Sequence, residues 1–286
     1  MAVRIRPAEA RDTETVASFT TNTFTWGDYV ADSFPQWLED EDTRVVVATD
    51  DDDSPIGLAR VRMLSAREGW LSAARVHPDH RRRGVGSALN DWCADWVRDQ
   101  GGIVVRLQIE DWNQAAHHQV EALDYRPVAD VWNAERGVSR SDIEPATNGG
   151  RRKRAEERLD RAPRAEAEGA YIAWSTSELA RASHGLFPVE EWAWRRMTLD
   201  DALSSRSWFC PSGWILGEET GESLIVRWMV STPDDASSLM RATVDLAQER
   251  GLRNVRVTGP SVEWLESALA DNRLEIHRSR IYEKAL

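Results

Sequence analysis

The 286-residue sequence predicts an α/β chain built on a mixed sheet. Three observations carry that reading. Short apolar runs of strand character alternate with segments whose apolar residues recur at helical spacing. One stretch, Trp70 to Gly101, combines a strand, a basic glycine-containing loop and a long helix. Fragments of that stretch return in the second half of the chain.

The elements follow in order. Val3 to Arg6 reads as a strand. Asp12-Thr13-Glu14 caps a helix running through Val16 and Phe19 to Asn22. After a loop over residues 23–29, Val30 to Glu39 forms a second helix that Pro35 is expected to split or restart. Arg44 to Thr49 is a buried strand by its valine run, and Ile56 to Leu64 another strand beyond a turn. In the strand Trp70 to Val76, alternation puts Leu71, Ala73 and Arg75 on one face and Ser72, Ala74 and Val76 on the other. The helix from Val85 gathers Leu89, Trp92, Cys93, Trp96 and Val97 on one face and ends at Gly101-Gly102. Ile103 to Ile109 is a strand, Asn113 to Ala122 a helix, and Val128 to Ala134 a last strand. Residues 1–136 are thus read as one domain. Residues 137–168 are polar and read as a linker carrying one charged helix, Arg151 to Arg161. Residues 169–286 are a second globular segment.

Between the strand ending at Val76 and the helix at Val85 lies Arg81-Arg82-Arg83-Gly84-Val85-Gly86. The first N–H groups of a helix have no intrahelical acceptor, and the helix dipole puts partial positive charge there. Gly84 and Gly86 let an anion approach the backbone, and three arginines add full charges. The stretch reads as a phosphate cradle. Neither G-x-G-x-x-G nor G-x-x-x-x-G-K-[ST] is present. Arg81-x-x-Gly84-x-Gly86 after a strand ending Val-His-Pro resembles the acyl-CoA motif of the GNAT N-acetyltransferase superfamily. The element order of residues 1–136 is similar to the GNAT fold. The resemblance implies that acetyl-CoA is the acyl donor. Its pyrophosphate would be held by backbone amides and side chains from Arg81, Arg82, Arg83, Gly84, Val85, Gly86 and Ser87, and its pantetheine arm by the main chain of Val76 and His77.

Other family positions are filled unevenly. Asn113-Gln114-Ala115-Ala116 is similar to the start of the family's coenzyme-contacting helix, which makes Asn113 and Ala116 coenzyme residues by resemblance. The usual acid, a tyrosine, is replaced by Val120, and the usual Gly-Phe ending by Asp124-Tyr125. Tyr125 is expected in the core. Glu110, at the end of a parallel-type strand, is the candidate base, with His77 and His118 as alternatives; each also has a plain surface reading. The stretch Thr25 to Asp40, with Ala74 to Pro78, is similar to the branch containing histidine N-acetyltransferase. That likeness makes Asp28, Tyr29 and Arg75 acceptor residues, Asp28 for an ammonium and Arg75 for a carboxylate. The aromatics there read equally as core.

Composition narrows the classes. A net charge of −12 argues against general nucleic-acid binding, and the basic cluster Arg151 to Arg154 has no interleaved aromatics. Only Lys153 and Lys284 are lysines; every other basic residue is arginine, as in salt-adapted or GC-rich microbial proteins. No apolar run is long enough to span a membrane, and the first residues show no signal-peptide core, so a cytoplasmic protein is expected. Two cysteines, Cys93 and Cys210, imply no disulfide framework, and the six histidines have no metal-ligand spacing. No metal is expected.

The second segment echoes the first. Gly251 to Val257 aligns with Gly101 to Leu107, and Thr232-Pro233-Asp234 with His77-Pro78-Asp79. Where the first copy is basic, the second is shorter and reads Pro233-Asp234-Asp235-Ala236. Acids at a helix N-terminus repel a pyrophosphate, so the segment reads as a degenerate GNAT-like domain without a coenzyme site. The whole points to an acetyl-CoA-dependent N-acetyltransferase acting on a small-molecule amine, a free amino acid among the candidates, with a homodimer allowed for. A non-catalytic acyl-CoA-binding or regulatory protein is the alternative.

Overall fold

A computed structural model describes residues 3–21, 27–139 and 157–286, which form two compact units. In the first, β1 (Arg4–Pro7), β2 (Thr43–Thr49), β3 (Pro55–Ser65) and β4 (Glu68–Val76) pair antiparallel in sequence. β5 (Val104–Glu110) joins β4 in parallel. The valines of β2 are buried on both faces. Val45 and Val47 meet α1 (Thr13–Thr20) and α2 (Val30–Glu39) through Val16, Phe19, Phe34 and Trp37. Val46 and Ala48 meet α3 (Val85–Asp99) through Val85, Leu89, Cys93 and Val97. α4 (Gln114–Glu121) adds Val120 to that second layer.

Several local expectations change. Pro35 lies inside α2 without splitting it. Proline there forfeits one backbone bond, but Phe34 and Trp37 on either side are anchored in the core. Asp12 does not cap α1 with its side chain. It is turned instead to Arg6, whose two terminal nitrogens donate to it at 2.8 and 2.9 Å, and it accepts the Glu9 N–H at 2.8 Å. The alternation of β4 breaks at Ala73, where φ is +54° and an extra residue sits opposite Ala59. This bulge puts Leu71 with the α3 layer and Ala73 with the α1–α2 layer, so the two do not share a face.

The Arg6–Asp12 pair gives a pH signature. Burial pushes the Asp12 carboxyl up, but the Arg6 bonds and the Glu9 N–H outweigh it and hold the carboxyl below its usual value. A depressed folded-state value means stability that is present above the unfolded value of about 3.9 and lost as pH falls through the folded one. Urea unfolding of wild type and Asp12→Asn is therefore expected to show a clear gap at pH 7 that shrinks towards pH 3. A gap that stays constant with pH would refute this origin.

The second unit has the same run of elements. The strands Arg206–Cys210, Gly213–Thr220 and Ser223–Val230 are antiparallel. A long helix, Ala236–Glu249, then leads to the strand Asn254–Pro260, parallel to Ser223–Val230, and a helix, Glu263–Asp271, follows. Gly101 and Gly251, aligned in the sequence, both stand in the left-handed region after the long helix, at φ +85° and +72°. β6 (Arg126–Gly137), expected to finish the first unit, pairs with Asn254–Pro260 in the second through residues 131–137. The first unit takes in the chain's own last residues instead. Tyr282–Leu286 belong to it, and the Leu286 N–H donates to the Ile103 carbonyl beside β5 at 3.0 Å. Of the expected linker, residues 140–156, including Arg151 to Arg154, lie outside the described residues. The described end of the expected charged helix is instead turn and a two-residue strand, Asp160–Arg161, because Leu159 enters the core and Phe209 and Trp208 pair with that strand. No described helix is long and apolar enough to cross a membrane.

Candidate functional site

Residues 77–84 connect β4 to α3. Pro78–His80 is a 3-10 turn capped by His77, whose Nδ1 accepts the Asp79 N–H at 3.2 Å. That occupies one ring nitrogen of a candidate base. Arg81 folds back, its Nε donating to the Val76 carbonyl at 3.3 Å. Arg82 and Gly84 take positive φ, +60° and +81°, turning the chain into the helix. Ala88 is the first residue of α3 to bond back, to the Gly84 carbonyl at 3.0 Å. The N–H groups of Val85, Gly86 and Ser87 therefore stand at the open helix end. Residues 81–84 are exposed, and no atom lies within 4 Å of where a Gly84 Cβ would be. This is room for an anion, with fixed N–H dipoles beside it and three arginines in the adjoining loop.

The two glycines differ. At Gly86 the space is already filled: a Cβ would stand 2.7 Å from Nε2 of Gln119 on α4. A side chain at this position would have to move the Gln119 carboxamide aside.

Beside the cradle, β4 and β5 part. Their parallel pairing covers Glu68, Gly69 and Trp70 and stops at Arg106. The His77 N–H donates to the Ile56 carbonyl at 2.9 Å, while Val76 stands opposite Gly57. Antiparallel ladders alternate, so the Val76 N–H and carbonyl point away from β3, to the side where β5 has separated. The His77 amide is thus engaged and that of Val76 is presented.

Asp28 and Arg75 are each other's partners. Arg75 Nε and Nη2 donate to the Asp28 carboxylate at 2.8 and 3.3 Å, and Asp28 also accepts the Val30 N–H at 3.1 Å. The Asp28 side chain is 0% exposed and that of Arg75 is 14% exposed. The bulge at Ala73 turns Arg75 towards Asp28, which a strictly alternating strand would not do. Arg75 also lies 5.7 Å from the centre of the Tyr29 ring, and Tyr29 is 44% exposed. The expectation of two charges separately offered to a ligand is therefore corrected to a closed ion pair beneath an exposed phenol. Thr25 and Trp26 of the same loop lie outside the described residues.

Asn113 caps α4, its Oδ1 accepting the Ala116 N–H at 3.2 Å, and Ala116 packs against the core. Val120 is buried where the family's tyrosine is expected. Tyr125 is in the core, donating to Asn90 at 2.9 Å, with burial pushing its phenol up. Glu110 is half-buried at the end of β5 and groups with Asp111 and Trp112 in the second unit. His118 is exposed, whereas its neighbour His117 is buried, its Nδ1 2.9 Å from the Tyr282 hydroxyl. Tyr282 in turn donates to Glu121 at 3.2 Å. The sequence offered a signal for His117, since it shares the apolar side of the helix with Val120, but none for its partner from the far end of the chain. Both cysteines are buried free thiols, pushed up by burial. Among the described residues no cluster of His, Cys, Asp and Glu could hold a metal ion.

Residues 11–125 match the model of the Acetyltransferase (GNAT) family. The whole chain is similar in fold to a GCN5-related N-acetyltransferase from Sphaerobacter thermophilus, at a TM-score of 0.66 and 16% identity, covering 99% of this chain and 95% of that one. It is also similar to a GCN5-related N-acetyltransferase from Kribbella flavida, at a TM-score of 0.52 and 15% identity, covering 99% and 71%. No curated protein matches the chain.

Proposed function

From the match of residues 11–125 to the GNAT acetyltransferase family model, we propose that the chain moves an acetyl group from acetyl-CoA to a primary amine of a small molecule. The observation that carries this is the open cradle at Gly84, set next to the point where β4 and β5 part. The residues present fit the donor: the space around Gly84 is open, next to the free N–H groups of the helix end. What the donor supplies when bound is an activated carbonyl and a thiolate leaving group, tolerable unprotonated at a thiol value of about 8.5.

The chain's own residues do the rest. The amides of Val85 to Ser87, with Arg81, Arg82 and Arg83, hold the pyrophosphate. The Val76 N–H donates to the carbonyl oxygen as charge develops there, which is oxyanion-type stabilisation. Arg81, bonded to the Val76 carbonyl, ties that position to the cradle. Attack is direct, in a ternary complex, since Cys93 is sealed in the core and is no acyl carrier. Tyr29 gives the acceptor an exposed surface, and the Asp28–Arg75 pair holds the loop under it. An amino acid would meet those two charges only by opening the pair. Glu110 is the base in this reading, and Asn113 and Ala116 line the donor's path. The second unit, whose loop over residues 231–235 is short and acidic, is read as a relative that has lost its cradle.

A lysine amine, at about 10.4, costs about 4–5 kcal/mol to deprotonate at pH 7, far more than an α-amine at about 7.7–8.0. The α-amine, partly neutral already at pH 7, asks less of any base. Thiol release over a panel of free amino acids and lysine-containing peptides, at pH 7 and pH 9, tests this. Free α-amines are expected to react faster at pH 7, with the advantage shrinking at pH 9. Faster reaction of internal lysines at pH 7 would reject the small-molecule acceptor, and tight acetyl-CoA binding without any turnover would favour a binding protein.

A further inference from the structure

We infer that Gln119 is a coenzyme-contacting residue, its carboxamide supplying a neutral side-chain donor to the phosphates held by the α3 cradle. The inference rests on the donor reading above and adds a residue to it. Gln119 lies on α4, one residue before Val120, and is exposed. Its side chain nonetheless reaches back to α3. Where a Cβ on Gly86 would stand, Nε2 is 2.7 Å away, Oε1 3.3 Å and Cδ 3.4 Å. The whole carboxamide is therefore laid across the first turn of α3, over one of the three residues whose N–H groups have no helical acceptor.

Three further points favour a ligand role. An exposed glutamine on a helix normally extends into water, and folding it down onto another helix costs side-chain entropy. Among the described residues the carboxamide gains no hydrogen bond there in return. Its donor and acceptor are left for something that arrives at the same place. Charge also argues for a neutral group. The cradle already carries Arg81, Arg82 and Arg83, so a further donor without charge adds direction rather than attraction. Finally, glycine at position 86 is what makes room for the carboxamide, so the pair Gly86 and Gln119 acts as one unit.

Calorimetric titration of the full-length chain with acetyl-CoA tests this in four variants alongside wild type. Gln119→Ala is expected to weaken binding about ten-fold, the loss of one hydrogen bond to a charged group. Gln119→Glu, of the same shape, is expected to weaken it further, and more at low salt than at high. Gly86→Ala places a methyl group 2.7 Å from Nε2, closer than contact allows, and pushes the carboxamide away, so it should cost about as much as Gln119→Ala. The double variant should cost no more than either alone, the mark of coupled residues. As a donor, S-acetyl-pantetheine lacks the phosphates, and its turnover should not distinguish Gln119→Glu from wild type. Thermal melts that match wild type show that an exposed position has been changed without unfolding. If wild type binds acetyl-CoA and both Gln119 variants bind it equally well, the inference is overturned while the donor reading stands. If Gln119→Glu impairs acetyl-pantetheine as much as acetyl-CoA, the contact is not with the phosphates and the inference is likewise overturned. A wild-type chain that takes up no acetyl-CoA removes the donor reading and this inference together.

Discussion

Gly84→Asp is expected to raise the dissociation constant for acetyl-CoA by about 10³ in a chain that still folds. The glycine stands at φ +81°, a region aspartate tolerates better than most residues, at a cost of about 1–2 kcal/mol. No atom lies within 4 Å of the new Cβ, so nothing in the core is displaced. What changes is the sign of the charge at the mouth of the cradle. A carboxylate about 4 Å from a phosphate repels it by about 4 kcal/mol at an effective dielectric constant near 20. Gly84→Asn, with the same backbone tolerance and no charge, is expected to bind within a few-fold of wild type. Calorimetry of the three proteins decides. Equal affinities for Gly84→Asp and Gly84→Asn would place the pyrophosphate elsewhere. Wild type should also show one site per chain; two equal sites would overturn the proposal that the short acidic segment at residues 231–235 forms no cradle.

The second large effect is on stability. Arg106 is 2% exposed and bonds to Glu68 at 2.6 Å and Glu283 at 3.0 Å, linking β4, β5 and the chain's last residues where the β4–β5 ladder ends. Arg106→Met keeps the length and removes the charge, leaving two carboxylates facing each other. Losing one member of a buried pair costs about 3–5 kcal/mol. Glu283 is 37% exposed and can turn to water, which places the expectation at the lower end, about 3 kcal/mol. The melting temperature should fall by roughly 6–12 °C. The triple variant Arg106→Met, Glu68→Gln, Glu283→Gln should recover part of that, since no charge is then unpaired. Melting of Arg106→Met within a degree of wild type would show that the cluster is replaceable by water.

The sequence was most legible where local rules act alone. The strand–loop–helix at Trp70 to Gly101 folds as read because amphipathic spacing, glycine and a helix stop all agree over a short distance. In the second unit only two short echoes were visible, Gly251 to Val257 and Thr232 to Asp234, and its individual strands and helices were not read from the sequence. Three features were not legible. The Ala73 bulge flips Arg75 towards Asp28, and nothing in the alternation Leu71-Ser72-Ala73-Ala74 marks where the extra residue sits. Residues 128–134 have every property of a strand, but no local property says which unit that strand joins. Gln119 reads as an ordinary surface residue, and its significance depends on Gly86, a position far away in sequence.

The last five residues of the chain belong to the unit that begins with the first. A ribosome makes the protein in the opposite order. At roughly 5–20 residues per second, the interval between the emergence of Arg126 and of Leu286 is on the order of ten seconds. Throughout it the side of β5 that Tyr282 to Leu286 will cover has no partner from this segment, and His117 and Arg106 wait for Tyr282 and Glu283. The first unit is thus the earlier to be synthesised and among the later to be completed. Deleting Tyr282 to Leu286, harmless as a trim of a few residues in many proteins, would here take material out of a domain whose other residues lie more than 150 positions earlier.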